Sequence, residues 1–409
     1  MMAALTAASY SSGAVITIYE KNSRVGKKLL STGNGRCNIT NVECGTGNFH
    51  GNNPEFAKTA IDRFTPEDTI RFFESIGLMC KRTRGGRVFP YCGQASAVLD
   101  VLRFELERVG VKVLTNTEVI AVSRDKPAEG ISLRLRTPAG DETRRCDRLI
   151  VSSGGKSAPS TGSDGGGFSI LSSLGHLIVE PYPALTRLKT DTAIAAPLCG
   201  VRVNGRVSVC GHDSCETTLS EGEIQFTAYG LSGPAIMDIS AAALMERKEK
   251  VTVVLDLMPH LSNRDLVLAL AVRKERMSHL LAEKFLIGML NKKVGQAILK
   301  RSGVVKLSLP VSDLCNTELS LIARLIKRLE FQVKGHTGWE HAQATGGGAD
   351  TLEFSDSTME SKLVGGLFAT GEVLDIYGDC GGYNLQWAWS SGRAAGRAVV
   401  GYAKHSAYY

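Results

Sequence analysis

The segment LFATGEVLDIYGDCGGYNLQWAWSSGRAAG, residues 367–396, decides the fold. Its apolar start predicts a short strand that runs into Gly371 and Glu372. Gly381 and Gly382 then precede a stretch in which alanine and serine recur at helical spacing, which predicts a helix with one small, tightly packing face. Backbone N–H groups at the start of such a helix are free and point along its axis. The segment therefore predicts a strand–loop–helix unit that approaches a bound ligand closely.

The beginning of the chain also predicts a helix and a short apolar strand. Residues 1–10 are rich in alanine and predict a helix, and residues 14–20 (AVITIYE) predict an apolar strand that ends on Glu20. In a Rossmann unit an acid at this place binds a ribose hydroxyl, and a Gly-x-Gly-x-x-Gly motif lies about 20 residues before it. That position falls at or before Met1. We therefore expect the chain to lack its leading strand and glycine motif, through a truncation or a misassigned start.

Two further glycine-rich loops lie between these ends. The first, TGNGRCN at residues 32–38, combines glycines with Asn and Arg donors and predicts a backbone nest for an anion or a flat cofactor edge. The second follows an apolar strand and contains Gly154 and Gly155, which suit close packing against a bound dinucleotide. The Lys-Ser that follows resembles the end of a P-loop, but Ile150 stands where a P-loop requires its first glycine. That mismatch excludes a P-loop nucleotide triphosphatase.

The middle of the chain has a different pattern. Residues 181–259 show short β segments, residues 261–329 are predicted to be helical, and residues 331–335 return to a strand. Within the first part, residues 65–110 are predicted to be mostly helical and residues 112–140 to form a hairpin or meander. We infer that the two glycine-rich ends are halves of one domain, with the middle inserted between them.

Composition narrows the class of protein. Of 409 residues, 43% are hydrophobic and 22% are charged, as is ordinary for a globular protein. We find no apolar run of about 18 residues, which a membrane helix needs, and no signal peptide. The ten cysteines are scattered, which favours reduced thiols and a cytoplasmic protein.

Positive charge is concentrated in one segment. The net charge is +7, and residues 259–334 alone carry 14 Lys plus Arg against 6 Asp plus Glu. Such a run is either a solvated helical face or a patch that meets a polyanion. Cys210, His212 and Cys215 suggest zinc, but with only three candidate ligands and no second cluster we expect a β-turn with buried thiols and no metal. The sequence contains no Gly-x-Ser-x-Gly motif, so nothing in it indicates a hydrolase.

Four motifs together resemble those of the BaiN/YhiN-like flavoproteins, which include proteins called aminoacetone oxidases. They are TGNGRCNITN (32–41), SSGGKSAPSTGSDGGGF (152–168), GEIQFTAYGLSGPAIMDIS (222–240) and the segment 367–396. The resemblance implies an α/β fold with a Rossmann-like FAD-binding domain, interrupted by a small β-barrel domain that carries a helical insert. The implied domains are residues 1–180 with 341–409, residues 181–258 with 331–340, and residues 259–330.

The resemblance also implies a set of cofactor-binding residues. Glu20 would hold the adenosine ribose, Val119 would lie on the adenine side, and Gly371 with Glu372 would approach the ribityl chain and phosphates. The remaining residues would pack on the flavin, the pyrophosphate or the cofactor backbone: Asn34, Gly35, Arg36, Cys37, Asn38, Gly154, Gly155, Gly382, Tyr383, Asn384 and Leu385.

The function implied is an FAD-dependent oxidoreductase, in which NAD(P)H reduces the flavin and N5 delivers hydride to an unsaturated or imine-type substrate. Alternatives are reduction of a uridine in ribosomal RNA, oxidation of a small amine such as aminoacetone, and a flavin-free binding protein. The basic insert favours a polyanionic substrate such as RNA. Cys37 and Cys380 are predicted to be packing thiols, Tyr383 is a possible proton donor, and the sequence identifies no catalytic residue. It leaves the substrate, NADH against NADPH and the oligomeric state open.

Overall fold

The chain forms two units, one from its ends and one from its middle. A computed structural model describes residues 1–11, 13–124, 130–211, 218–245, 251–304 and 306–401. The first unit consists of Met1–Ala184 with Trp339–Tyr409, and the second of Leu185–Gly338. Among the described residues, no helix is both long and apolar enough to cross a membrane.

Most helices and strands of the described residues are short. The α-helices are α1 (Met2–Tyr10), α2 (Lys27–Ser31), α3 (Phe56–Arg63), α4 (Pro66–Ser75), α5 (Ala95–Arg108), α6 (Gly166–Ser173), α7 (Thr192–Ala195), α8 (Pro234–Asp238), α9 (Ser240–Met245), α10 (Asn263–Arg276), α11 (Lys292–Arg301), α12 (Asn316–Lys327) and α13 (Tyr383–Val399). The strands are β1 (Thr17–Tyr19), β2 (Thr40–Asn41), β3 (Phe49–His50), β4 (Cys80–Arg82), β5 (Arg87–Pro90), β6 (Lys112–Leu114), β7 (Glu118–Ser123), β8 (Ile131–Thr137), β9 (Gly140–Cys146), β10 (Leu149–Val151), β11 (Ile178–Ala184), β12 (Leu188–Thr190), β13 (Arg202–Cys210), β14 (Thr218–Thr227), β15 (Gly230–Ser232), β16 (Thr252–Asp256), β17 (Leu329–His336), β18 (Ala344–Ala349), β19 (Leu367–Ala369) and β20 (Tyr377–Gly378).

The first unit contains two parallel strand pairs. Strand β1 pairs with β6, with Thr17 opposite Lys112, and β10 pairs with β19, with Leu149 opposite Leu367. The second pair joins a strand from the first half of the chain to a strand near its end, and both lie in the first unit. Antiparallel strands surround them in the orders β2-β5-β4, β20-β3, β7-β8-β9 and β11-β18.

The hairpin predicted for residues 112–140 is wrong in its first strand. Residues Lys112–Leu114 form β6, which pairs in parallel with β1, and the antiparallel sheet begins only at Glu118. The backbone breaks between them because Asn116 has a left-handed conformation with φ of 51°. Residues 112–123, which the sequence predicts as one strand, therefore form two strands that belong to different sheets.

The second unit is a closed barrel of six strands in the order β12-β15-β14-β13-β16-β17, which confirms the predicted barrel. Helices α10, α11 and α12 lie in sequence between β16 and β17, so the region predicted to be helical is three helices joined by turns. Leu266 of α10 and Ile322 of α12 share one buried cluster with Phe226 and Phe331 of the barrel. A separate helical domain stays a prediction.

Helix α13 lies at the centre of the first unit. Its Gln386 is fully buried, and the side-chain amide uses all its hydrogen-bonding groups. The carbonyl oxygen accepts from the hydroxyls of Thr40 at 2.5 Å and Thr69 at 2.9 Å, and the NH₂ group donates to the Phe64 carbonyl and the Ser390 hydroxyl, each at 2.9 Å. One side chain thus joins α13 to β2, α4 and the end of α3.

We predict that Gln386→Leu lowers the free energy of unfolding by about 2–3 kcal/mol, because it leaves buried hydroxyls without partners. Denaturant unfolding followed through Trp387 and Trp389, which lie on the same helix, measures this change. The exposed Gln94→Leu is the matched control and should have little effect. Adding Thr40→Val and Thr69→Val to Gln386→Leu should recover part of the loss, and no recovery would contradict the explanation.

Candidate cofactor site

Glu20 lies at the carboxyl end of the parallel pair β1–β6. Its N–H donates to the Leu114 carbonyl at 2.9 Å, and its Oε1 accepts from the backbone and side-chain nitrogens of Asn22, both at 2.8 Å. The Glu20 carbonyl accepts from Thr117 at 3.0 Å, and Val119 follows two residues later in β7. Glu20 and Val119 are therefore close together at this sheet edge.

The loop of residues 32–38 is a nest of unusual backbone conformations. Gly33, Asn34 and Cys37 have φ near +56°, +55° and +56°, and Gly35 also has a positive φ. The Cys37 N–H donates to the Thr32 carbonyl at 3.0 Å, which closes the turn. Successive left-handed residues turn backbone N–H groups toward one side, the geometry of an anion-binding concavity.

The second half of this loop contacts the loop that precedes α13. A Cβ placed on Gly382 would lie 2.7 Å from the Thr40 carbonyl carbon and 3.1 Å from Cγ of Asn38. The side chain of Asn41 donates to the carbonyl of Gly381 at 3.2 Å. The structure therefore brings together two motifs whose hydrogen-bonded residues are 340 positions apart in sequence. Arg36, by contrast, is exposed and lies over the ring of Phe89, 5.2 Å from its centroid.

Helix α13 begins without a side-chain cap. Its N-cap residue, Gly382, has φ of 107° and no side chain that could bond the first turn. The first N–H groups, of Tyr383, Asn384 and Leu385, precede the first intrahelical bond, from Gln386 to Gly382. The Asn384 side chain turns away and exchanges two hydrogen bonds with the backbone of Gly378, at 2.7 and 2.8 Å. The side chain of Asn384 thus holds the loop at Gly378 in place, and the backbone at the start of α13 has no side-chain cap.

Glu372 organises the second glycine-rich loop. Its carboxylate accepts from Lys28 Nζ at 2.7 Å, from the Ser157 hydroxyl at 2.8 Å and from the Thr345 N–H at 2.7 Å. A Cβ on Gly155 would lie 2.3 Å from the Thr345 hydroxyl, so only glycine fits there. The sequence reasoning missed Lys28, Ser157 and Thr345, although Ser157 stands in a quoted motif.

Two more predicted glycines lie beside this network. Gly371 donates its N–H to the buried hydroxyl of Ser391 on α13 at 3.0 Å, which ties the network to the central helix. Gly154 has φ of 74°, and the turn around it lets Lys156 and Ser157 donate their N–H groups to the Thr345 hydroxyl. The carboxyl ends of β10 and β19 therefore meet the middle of α13.

A histidine–carboxylate pair flanks the loop before α13. The ring Nε2 of His50 lies 2.6 Å from Asp379 Oδ1, and Asn48 donates to the other carboxylate oxygen at 3.1 Å. Nearby, burial raises the pKa of Tyr377 and that of Asp375. This pair could not be predicted from the sequence, because Asp379 lies in the segment 367–396 but His50 is 329 residues away and lies in none of the four motifs.

The cysteines of the flavin-side motifs differ in environment. Burial raises the pKa of the Cys37 thiol to about 11, so the thiol is protonated and packs as a small apolar group. Cys380 lies 3.9 Å from the side-chain oxygen of Gln343. Of the suggested zinc ligands, His212 and Cys215 lie outside the described residues. Within the described part, no group of three or more His, Cys, Asp or Glu could hold a metal ion.

The residues present fit an FAD molecule. Glu20 Oε2 has no hydrogen bond among the described residues and can accept from a ribose hydroxyl. The uncapped start of α13 can donate to a carbonyl oxygen or to a negative charge. The nest at residues 32–38 adds further N–H groups. Together these groups match the ribose and carbonyl groups of a dinucleotide.

Known proteins of similar sequence match almost the whole chain. The family model described as "HI0933-like protein Rossmann domain" matches residues 1–398. A 3-dehydro-bile acid delta(4,6)-reductase from Clostridium scindens is 37% identical over 406 residues, covering 98% of this chain and 96% of the relative. Ribosomal RNA dihydrouridine synthases from Haemophilus influenzae and Escherichia coli are 30% and 29% identical, each over 95% of this chain and 93% and 92% of the relatives.

The match over nearly the whole chain confirms the predicted fold class, a Rossmann-type FAD-binding domain combined with a barrel. It also confirms the resemblance inferred from the four motifs. The chain therefore belongs to the HI0933-like family of Rossmann-domain proteins and is a flavin-dependent oxidoreductase.

Proposed function

We propose that this protein uses NAD(P)H to reduce an unsaturated or imine-type bond of its substrate through a bound FAD. When bound, FAD supplies hydride transfer at N5 of its flavin ring. The observation that carries the proposal is the contact between residues 32–38 and the uncapped start of α13 at Gly382. Additional support is that a relative 37% identical is named a 3-dehydro-bile acid delta(4,6)-reductase.

Several of the predicted residues have a defined task in this proposal. Glu20 accepts from the adenosine ribose, and Val119 borders the adenine. The backbone N–H groups of Tyr383, Asn384 and Leu385 orient the flavin carbonyl and stabilise negative charge on the reduced ring. Glu372 holds Lys28 and the loop at Gly155, so the ribityl and phosphate side of the site keeps its shape.

Reduction of a uridine in ribosomal RNA is the first alternative. Two relatives are named ribosomal RNA dihydrouridine synthases. A second support is the basic helical insert of this chain. Its Lys292, Lys293 and Lys300 are exposed and have no ion-pair partner within the described residues. Exposed, unpaired lysines suit contacts with phosphates. The target base would have to leave its stack to reach the flavin.

Two further alternatives and the location are also open to test. A small amine such as aminoacetone would donate hydride to the oxidised flavin rather than accept it. A flavin-free binding protein would bind no FAD at all. We propose a cytoplasmic location, which fits the nine described cysteines, all of them free thiols.

Anaerobic spectroscopy of the purified protein separates these functions. We expect flavin absorbance, release of FAD identified by mass spectrometry, and bleaching by NADH or NADPH. Reoxidation of the bleached protein by a conjugated 3-oxo bile acid supports the main proposal, and a gain of two hydrogens on a uridine of ribosomal RNA supports the first alternative. Bleaching by aminoacetone alone would favour the amine oxidase, and a colourless protein that binds no added FAD would exclude every flavin function.

We predict that Gly382→Ala weakens FAD binding by at least about tenfold. A Cβ there would lie 2.7 Å from the Thr40 carbonyl carbon, and the backbone has φ of 107°, so the helix start must move away from the 32–38 loop. Titration of apoprotein with FAD measures the effect. Gly93→Ala is the control, since Gly93 has φ of 69° but no atom within 4 Å of an added Cβ. Equal affinities for the two variants would contradict the proposed site.

We predict that Lys292→Glu with Lys293→Glu weakens binding of ribosomal RNA at low salt by about tenfold, because two unpaired cations become anions. Fluorescence anisotropy with a labelled RNA fragment measures this change. The matched control reverses Arg103 and Arg108, which are exposed on α5 and paired with Asp100 and Glu105. If the insert variant and the control bind RNA equally well, the insert is a solvated face.

A further inference from the structure

An open groove in the first unit is lined by four arginines. It encloses about 440 Å³ between α4 and the ends of α3 and α13, within the size range of known ligand pockets of roughly 300–1,000 Å³. Its lining residues are Arg63, Phe64, Asp68, Arg71, Phe72, Ser75, Arg393 and Arg397. The four guanidinium groups face a single carboxylate, so the groove is strongly positive.

Two of the arginines are held by aromatic rings instead of by acids. The guanidinium carbon of Arg393 lies 4.9 Å from the centroid of Phe64, and that of Arg397 lies 5.3 Å from the centroid of Tyr10. Neither arginine has a carboxylate partner among the residues that the structure describes. Stacking fixes a guanidinium by its face and leaves its N–H edge free to donate to two oxygens of a phosphate or carboxylate.

The acids around the groove are already occupied. Asp68 accepts from Arg71 through Oδ1 and from the backbone and hydroxyl of Thr65 through Oδ2. On the neighbouring turns, Glu67 pairs with Arg82 and Asp62 with Lys58. Arg63 donates to the carbonyl of Ser357 and keeps further N–H groups. The groove therefore presents more guanidinium donors than the described part of the chain uses.

Helix stability alone does not explain this arrangement. Arg63 and Arg397 lie in the last turns of α3 and α13, where a cation interacts favourably with the helix dipole. Arg71 and Arg393 lie inside their helices, where that effect has faded. Four arginines from three helices converge on one groove, which is the pattern of a site for phosphate groups.

We propose that this arginine groove binds backbone phosphates of an RNA substrate. The inference deepens the RNA alternative of the proposed function and rests on it. An open groove with cations spread over three helices suits a chain of phosphodiesters that passes across it, and Phe72 at its edge can stack on an unpaired base. Arg393 lies about 16 Å along α13 from Gly382, so the groove and the start of the same helix can be reached by one RNA strand.

The test compares charge reversal, charge retention and a matched control. The variants are Arg393→Glu with Arg397→Glu, Arg393→Lys with Arg397→Lys, and the α5 pair Arg103→Glu with Arg108→Glu. Binding of a fluorescein-labelled single-stranded RNA is measured by anisotropy over a series of salt concentrations. We expect the groove reversal to weaken binding at least about tenfold and to reduce the salt slope by about 1.4, the effect of two lost phosphate contacts.

The lysine variant should recover part of the affinity because it restores charge without the planar fork. The α5 control should stay within about threefold of the wild type. FAD content, thermal unfolding and bleaching by NAD(P)H are measured on every variant. If the reversed groove does not fold, Arg71→Ala, at an exposed position, serves as the second variant and should also weaken binding.

The outcomes distinguish the groove from the rest of the proposed function. Wild-type affinity in the folded groove variants overturns the inference, even if the insert variant loses RNA binding. Weakened binding of pyrophosphate or AMP with unchanged RNA binding shows a small-anion site and also overturns it. A wild-type protein that carries FAD and reduces an enone but binds no RNA at low salt removes both the groove and the RNA alternative, while the main proposal stands.

Discussion

The saturated amide of Gln386 is the interaction on which the first unit depends. A buried amide with free donors or acceptors would cost free energy, so its four partners fix the rotation and height of α13 against β2, α3 and α4. The start of the same helix lies only one turn away, at Gly382. The core packing of α13 therefore sets the position of the first N–H groups of the helix, which has no side-chain cap at Gly382.

The parts of the site that could be predicted are those in which the backbone makes demands on the sequence. A left-handed φ or a close approach accepts almost only glycine, so Gly155, Gly371 and Gly382 are recognisable without coordinates. Glu20 could be placed because an acid after an apolar strand is a pattern with a known geometry. The same reasoning found the barrel strands and the helices of the insert, whose apolar periodicities are clear.

The rest could not be predicted because it depends on contacts between distant residues. Lys28 and Glu372 are separated by 344 positions, and nothing near Lys28 distinguishes it from the other lysines of the chain. The His50–Asp379 pair has the same character. Residues 112–114 show a further limit of prediction from sequence. They form a strand, as predicted, but the left-handed turn at Asn116 separates this strand from β7, and it pairs with β1 instead.

The site is built largely of backbone groups, and this has a consequence for specificity. Amides and glycines recognise the parts that every FAD molecule has, so the motifs that reveal the cofactor carry no information about the substrate. Specificity for the substrate must therefore come from side chains that do not bind the cofactor. Among the described residues, the α11 lysines that have no ion-pair partner and the stacked arginines of α13 are the candidates for this role in the RNA alternative. Cations of this kind favour a partner that carries negative charge, so the RNA alternative depends on these side chains and not on the motifs that bind the cofactor.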